Sequence, residues 1–236
     1  MNAMIFAAGM GTRLKPLTDT MPKALVPVAG QPLLQHVLNK LHGAGIDNIV
    51  VNVHHFADQI TDYLKGTEVK ISDETSMLLE TGGGLKKAQS LFGNDEPILV
   101  HNVDILSNLD LKALISEPLH DATLVVSARK TKRYLLFDDD MRLVGWTNIE
   151  TGEVKSPYAD IDISKCRMLA FAGIHVIDQK LFVPMRDWRE RFSIIDFYLS
   201  VCRDYDIRGY VQPGLRLMDV GKIDTLGDSE EFIHSI

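Results

Sequence analysis

The sequence predicts an α/β protein: a mostly parallel sheet, mixed towards its second half, with helices on both faces. Three observations lead there. Apolar runs of strand length alternate with helical repeats through the first half of the chain. The first of these runs opens into a long segment punctuated by glycine and proline. After about Arg129 the alternation gives way to strand-like runs separated by polar turns. No linker, repeat or low-complexity stretch interrupts the 236 residues. They are expected to form one domain, 1–236, with a first part to about 128 and a second from about 129.

The elements follow in order. Residues 3–8 are apolar, with Met4, Ile5 and Phe6, and stop at Gly9, which predicts a buried strand. From 9 to 32 the spacing of Gly9, Gly11, Pro16, Pro22, Pro27, Gly30 and Pro32 forbids a long helix, so a long loop is expected. Leu34, Val37, Leu38 and Leu41 share one helical face within 33–41, and Gly43 and Gly45 end it. Strands are expected at 48–53, 69–71, 97–100 and 122–128, with helices at 58–64, 85–91 and 109–115. In the second part, strands are expected at 134–137, 143–146, 168–177 and 207–211, and helices at 192–202 and 223–233. The run Asp138-Asp139-Asp140 reads as a solvated hairpin turn. In sheets of this kind ligands bind at the carboxyl ends of strands.

Composition narrows the function. Lys plus Arg is 25 against 32 Asp plus Glu, a net charge of −7, and this acidic total argues against a nucleic-acid binder. No apolar run approaches the length needed to span a bilayer, so no membrane partner is expected. Cys166 and Cys202 have no metal-ligand spacing and read as free thiols in a reducing cytoplasm. The first residues lack the basic flank of a secretory signal.

The chemistry concentrates after the first strand, in Ala7-Ala8-Gly9-Met10-Gly11-Thr12-Arg13-Leu14. A dinucleotide fingerprint requires a third glycine where Leu14 stands, and Pro16 blocks the helix that should follow. A P-loop pattern is absent. Backbone N–H groups freed by glycine can cradle phosphate oxygens, and Arg13 and Lys23 add charge. Residues 1–25 hold Arg13, Lys15 and Lys23 against Asp19, a cationic island of +2 in an acidic protein. Asp104 lies just past a buried strand and Asp219 follows another short apolar run. Either alone suits a turn or a helix cap.

Gly9, Gly11, Thr12, Arg13, Leu14, Pro16, Leu17, Thr18, Pro22 and Lys23 match the N-terminal signature of the sugar-phosphate nucleotidyltransferases, which this chain resembles over nearly its whole length. The resemblance implies a Rossmann-like nucleotide-diphospho-sugar transferase (GT-A-like) fold. It implies a nucleotide-binding part before residue 129 and a sugar-phosphate part after it. It further implies Mg²⁺ on Asp104 and Asp219, and Arg13 and Lys23 as the catalytic cations. Nucleotide contacts are expected from Ala7, Ala8, Gly9, Gly11, Thr12, Arg13, Glu80, Gly83, Gly84 and Asn102. One departure is Val103 in Asn102-Val103-Asp104, where the family often carries a small residue.

Leu79-Glu80-Thr81-Gly82-Gly83-Gly84, with Val51-Asn52-Val53-His54-His55, looks most like the uridylyltransferases of N-acetylmuramate 1-phosphate in cell-wall recycling. That implies UTP and a sugar 1-phosphate as partners. Heptose, mannose or glucose 1-phosphate, phosphocholine and a non-catalytic nucleotide sensor stand as alternatives. The sugar phosphate is expected at Lys23, Gly145, Trp146, Gly173 and Asp196. Trp146 is equally suited to the core, and Asp196 or Ser193 to capping a helix. His54 and His55 suit hydrogen-bonded positions at a strand end better than a transition-metal site. The chain ends soon after Asp219, so one activity is expected.

Overall fold

The structure is a computed structural model describing residues 1–93 and 95–236. In chain order the strands are β1 Asn2–Phe6, β2 Pro27–Val28, β3 Gln31–Pro32, β4 Asn48–Val53, β5 Lys70–Asp73, β6 Ile98–Asn102, β7 Ile105–Ser107, β8 Ala122–Ser127, β9 Arg133–Phe137, β10 Leu143–Asn148, β11 Glu153–Lys155, β12 Arg167–Ile177, β13 Ile207–Tyr210 and β14 Leu217–Asp219. The α-helices are α1 Leu33–Gly43, α2 Ala57–Tyr63, α3 Glu80–Ala88, α4 Leu111–Ser116, α5 Phe182–Met185, α6 Ile194–Val201 and α7 Ile223–His234.

β1 shows how residues build the sheet. All five of its residues are buried, and alternate side chains point to opposite faces. Ala3 and Ile5 join one apolar cluster with Leu34, Val37 and Leu41 of α1. Met4 and Phe6 join the other with Leu85 of α3 and Phe197 of α6. A strand apolar on both sides is therefore sandwiched between helical layers.

β1 pairs in parallel with β4 on one side and β6 on the other, and β4 pairs in parallel with β5. The chain thus reverses its direction of travel across the sheet at β1, and a crevice opens at that strand's carboxyl end. Beyond β6 the sheet turns antiparallel through β12, which also pairs with β8 and β9. The sheet is mixed, with its parallel ladders confined to β1, β4, β5 and β6 and to the β8–β13 pair.

β12 serves both halves. Its register breaks between Phe171 and His175, where Gly173 has φ +75°. A bulge of this kind bends a strand, and it swings the first residues of β12 over to β9. The predicted hairpin turn at Asp138–Asp140 lies between β9 and β10, with Asp138 accepting from the N–H groups of Asp140 and Arg142. Cys166 and Cys202 are free thiols. No helix among the described residues is long and apolar enough to cross a membrane.

Two expectations change. The glycines of 82–84 are helical, inside α3, although glycine is a poor helix former. The short strands β7, β11 and β14 were not visible in the apolar pattern, because three residues are too few for a period to register.

Candidate active site

A cleft of about 520 Å³ opens where β1 ends, and Ala7, Ala8, Gly9, Gly11, Thr12 and Arg13 form one wall of it. Gly11 takes φ +64°, a left-handed conformation suited to glycine. An added Cβ there would stand 2.8 Å from the Thr18 Cγ2 methyl. The Thr18 hydroxyl in turn donates to the Gly11 carbonyl at 2.8 Å, folding the loop back on itself. Lys15 and Asp19 pair at 3.0 Å on the surface. The remaining cations of the island, Arg13 and Lys23, both line the cleft. Lys23 is only 8% exposed, and its ammonium donates to the Asp104 carboxylate.

Asp104 follows β6, and Asp219 ends β14. β7 and β14 are antiparallel, with Asp219 opposite Ile105. The Val220 N–H donates to the Asp104 carbonyl at 2.9 Å. Two aspartates distant in sequence thus sit at one sheet edge. Burial first, and then the Asp104 carboxylate, push the Asp219 carboxyl above its usual range, against the pull of Lys23, Arg13 and Arg129. Asp219 Oδ1 is buried and has no hydrogen-bond partner among the described residues. A half-buried carboxylate with an idle oxygen beside a second carboxylate is a donor set that fits a hard divalent cation. Gly221 lies against both groups: an added Cβ would fall 2.5 Å from Asp219 Oδ1 and 2.8 Å from an Arg13 guanidinium nitrogen.

The opposite wall holds Glu80, Thr81 and Asn102. Glu80 takes φ +62° at the start of α3 and accepts from Arg191 Nε at 2.8 Å. Gly83 and Gly84 lie beneath the cleft rather than in its wall. A Cβ on Gly83 would stand 2.0 Å from the Glu190 carbonyl oxygen, and one on Gly84 would stand 2.6 Å from Glu74 Oε1. Gly82 leaves room for the Phe192 ring, 2.2 Å from where its Cβ would be. The glycine triplet therefore serves close packing of α3, and the cleft lining named above includes neither Gly83 nor Gly84, the two expected at the nucleotide.

Beneath this wall runs a relay that the sequence reading missed. The Leu79 N–H donates to Glu74 at 3.1 Å, Asn52 Nδ2 donates to Glu74 at 2.7 Å, and the Ala7 N–H donates to Asn52 Oδ1 at 2.7 Å. Glu74 is fully buried, and burial raises its carboxyl above the usual range despite those bonds. The available signal was a polar residue, Asn52, inside an apolar strand and an acid, Glu74, just after β5. His54 Nδ1 bonds to the Glu74 carbonyl at 2.6 Å, in keeping with a hydrogen-bonded strand-end histidine.

A second cleft, of about 510 Å³, adjoins the first through Ser193, which lines both. Its floor is one face of β9–β10–β11. Leu135, Trp146 and Lys155 are opposite one another in register, and Arg133, Asn148 and Glu153 form the next row. The Lys155 ammonium lies 5.2 Å from the Trp146 ring centre. Lys155 also pairs with Asp196 of α6 at 3.2 Å. Trp146 and Asp196 both line this cleft. Ser193 is the N-cap of α6, accepting from the Ile195 N–H.

Gly145 and Gly173 stand behind these surfaces. A Cβ on Gly145 would stand 2.9 Å from the Lys155 carbonyl, and one on Gly173 would stand 2.7 Å from Asn102 Nδ2. Both were expected at the sugar; in the fold each is small to admit a neighbour, and neither is in the lining of the second cleft.

A switch-point loop with two cations, set against paired carboxylates, is a setting chemically suited to phosphate groups. Residues 2–133 match the nucleotidyl transferase family model. The chain is 49% identical over 231 residues, 90% of this chain and 89% of the relative, to N-acetylmuramate alpha-1-phosphate uridylyltransferase of Caulobacter vibrioides. It is 44% identical over 118 residues, 48% of this chain and 51% of the relative, to the enzyme of that name from Neisseria meningitidis serogroup B. Among solved structures, HddC of Yersinia pseudotuberculosis complexed with GMP-PN superposes with a TM-score of 0.75 at 22% identity, covering 98% of this chain and 99% of that one. A Bacillus anthracis chain in complex with sucrose gives 0.83 at 18%, covering 100% and 96%. At those identities the likeness speaks for the fold. The chain belongs to the nucleotidyl transferase family.

Proposed function

We propose that this chain joins N-acetylmuramate 1-phosphate to UTP, giving UDP-N-acetylmuramate and pyrophosphate, a reaction suited to cell-wall recycling. The observation that carries the reading is the 49% identity spanning 90% of the chain to an enzyme named for this reaction. The meeting of Arg13, Lys23 and Asp104 in one cleft supports it.

A phosphate oxygen of the sugar 1-phosphate attacks the α-phosphorus of the nucleotide. The bond from that phosphorus to the oxygen bridging the β-phosphate breaks, and pyrophosphate carries the electron pair away. Phosphate is already an anionic nucleophile, so the step needs no side-chain nucleophile and no general base. The protein's work is positioning and charge neutralisation. Arg13, exposed at the mouth, holds the β- and γ-phosphates and then the departing pyrophosphate. Lys23, buried beside Asp104, sits between the α-phosphate and the incoming sugar phosphate. Asp104 and Asp219 are the residues that would hold Mg²⁺, which when bound neutralises phosphate oxygens and acts as Lewis acid. The backbone of 8–12 cradles the nucleotide, and the β9–β10–β11 floor takes the sugar.

The test is pyrophosphate release across UTP, CTP, GTP, ATP and dTTP with N-acetylmuramate 1-phosphate. A clear preference for UTP is expected. Equal rates, or a preference for another nucleotide, would overturn the base assignment.

A further inference from the structure

The geometry points to Arg133 as the residue that selects sugar 1-phosphates bearing a carboxylate arm. This inference rests on the uridylyltransferase reading and names a specificity device within it. The wall of the second cleft carries Arg129, Arg133 and Lys155 against Glu153 and Asp196. Lys155 engages both acids, Asp196 at 3.2 Å and Glu153 at 3.9 Å. Arg129 is anchored by donating to the Phe171 carbonyl at 3.1 Å, and its charge acts on Asp219. Among the described residues no acid pairs with the Arg133 side chain. Its neighbour Lys132 takes Glu150.

Position matters as much as charge. Arg133 starts β9 opposite Asn148, one row along from Leu135 and Trp146 on the same face. It also borders the cleft that holds Arg13 and Asp219. A sugar over the Trp146 row, with its phosphate towards Asp219, therefore has its substituents within the field of an uncommitted guanidinium. N-acetylmuramate differs from N-acetylglucosamine by a lactyl ether whose carboxylate suits a two-pronged guanidinium contact. An exposed cation without an acid, in a chain of net charge −7, is placed to supply it.

The experiment compares kcat and KM for N-acetylmuramate 1-phosphate and N-acetylglucosamine 1-phosphate, each with UTP, in the native chain, Arg133→Gln and Arg133→Lys. In Arg133→Gln the KM for the muramate sugar is expected to rise about tenfold, the value of one charge-assisted contact. The loss on the glucosamine sugar is several-fold smaller, so the preference for the muramate sugar shrinks, and Arg133→Lys retains part of that preference. An equal loss on both sugars would assign Arg133 to phosphate binding and overturn the inference, as would an unchanged preference. Absence of pyrophosphate from the native chain with either sugar is a different result, and it would overturn the uridylyltransferase reading itself.

Discussion

Asp104 and Asp219 are brought together by backbone, not by their side chains. The Val220 N–H bonds to the Asp104 carbonyl at 2.9 Å, and Asp219 faces Ile105 across the β7–β14 ladder. The carboxylates can therefore be altered without unfastening the strands that present them.

From this follows the first prediction. Asp104→Asn and Asp219→Asn each slow pyrophosphate release by about a hundredfold or more, the scale of losing one preorganised charge. Circular dichroism stays near native in both, and the melting temperature stays near native in Asp219→Asn, whereas Asp104→Asn melts lower because the buried Lys23 ammonium loses its counter-charge. A variant with near-native turnover would contradict the carboxylate roles. Lys23→Ala is expected to lose activity on the same scale.

Two glycines separate packing from binding. At Gly83 a Cβ would collide with the Glu190 carbonyl at 2.0 Å, whereas at Gly9 nothing lies within 4 Å. Gly83→Ala should cost about 1–3 kcal/mol of stability through overpacking, read by urea denaturation. Gly9→Ala should keep its stability and raise KM for UTP, since the new methyl stands in the cleft. The reverse pattern would show that the triplet, not the loop, meets the nucleotide.

The relay beneath the cleft gives a third. Asn52→Ala leaves the Ala7 N–H and one Glu74 oxygen without their partners. Each lost partner costs about 1–3 kcal/mol when buried. Lower stability with a raised KM for UTP is expected. An unchanged KM would mean that the position of Ala7 does not matter to the nucleotide.

Acid sensitivity has a source outside the site. His175 is 1% exposed and neither ring nitrogen has a hydrogen-bond partner among the described residues. Burial pulls its pKa down to about 3. The unfolded chain takes the proton near 6.5 and the folded chain does not. The stability is thus fully present above that pH and falls as pH drops towards the folded value, by about 1.4 kcal/mol per unit. His101, pulled down to about 4 by burial, acts in the same sense. His175→Phe, packed between Phe171 and Tyr198, should hold its stability better from pH 7 to pH 5 than the native chain. Identical pH dependence in the two would contradict this origin.

The sequence made some of this legible and hid the rest for physical reasons. The loop from Gly9 to Lys23 was legible as a long loop opening from β1, because its glycines and prolines are set by local geometry. Asp104 and Asp219 could be paired through the family likeness, but the two short strands that join them carry no period to detect. Gly83 and Gly84 signal close approach without saying what approaches, and Gly145 and Gly173 stand as contacts only through the family likeness. What approaches them is Glu190, Glu74, Lys155 and Asn102. Arg133 and Lys155 were invisible as cleft-lining residues, since only the β9–β10–β11 register puts Lys155 opposite Trp146 and Arg133 one row along.

The most direct test of the central claim mixes the purified chain with UTP, N-acetylmuramate 1-phosphate and Mg²⁺, with and without a chelator, and follows pyrophosphate alongside the mass of the nucleotide sugar. Equal amounts of pyrophosphate and UDP-N-acetylmuramate are predicted, and neither when the metal is chelated. Pyrophosphate formed without the sugar phosphate, or turnover undiminished by the chelator, would contradict the account.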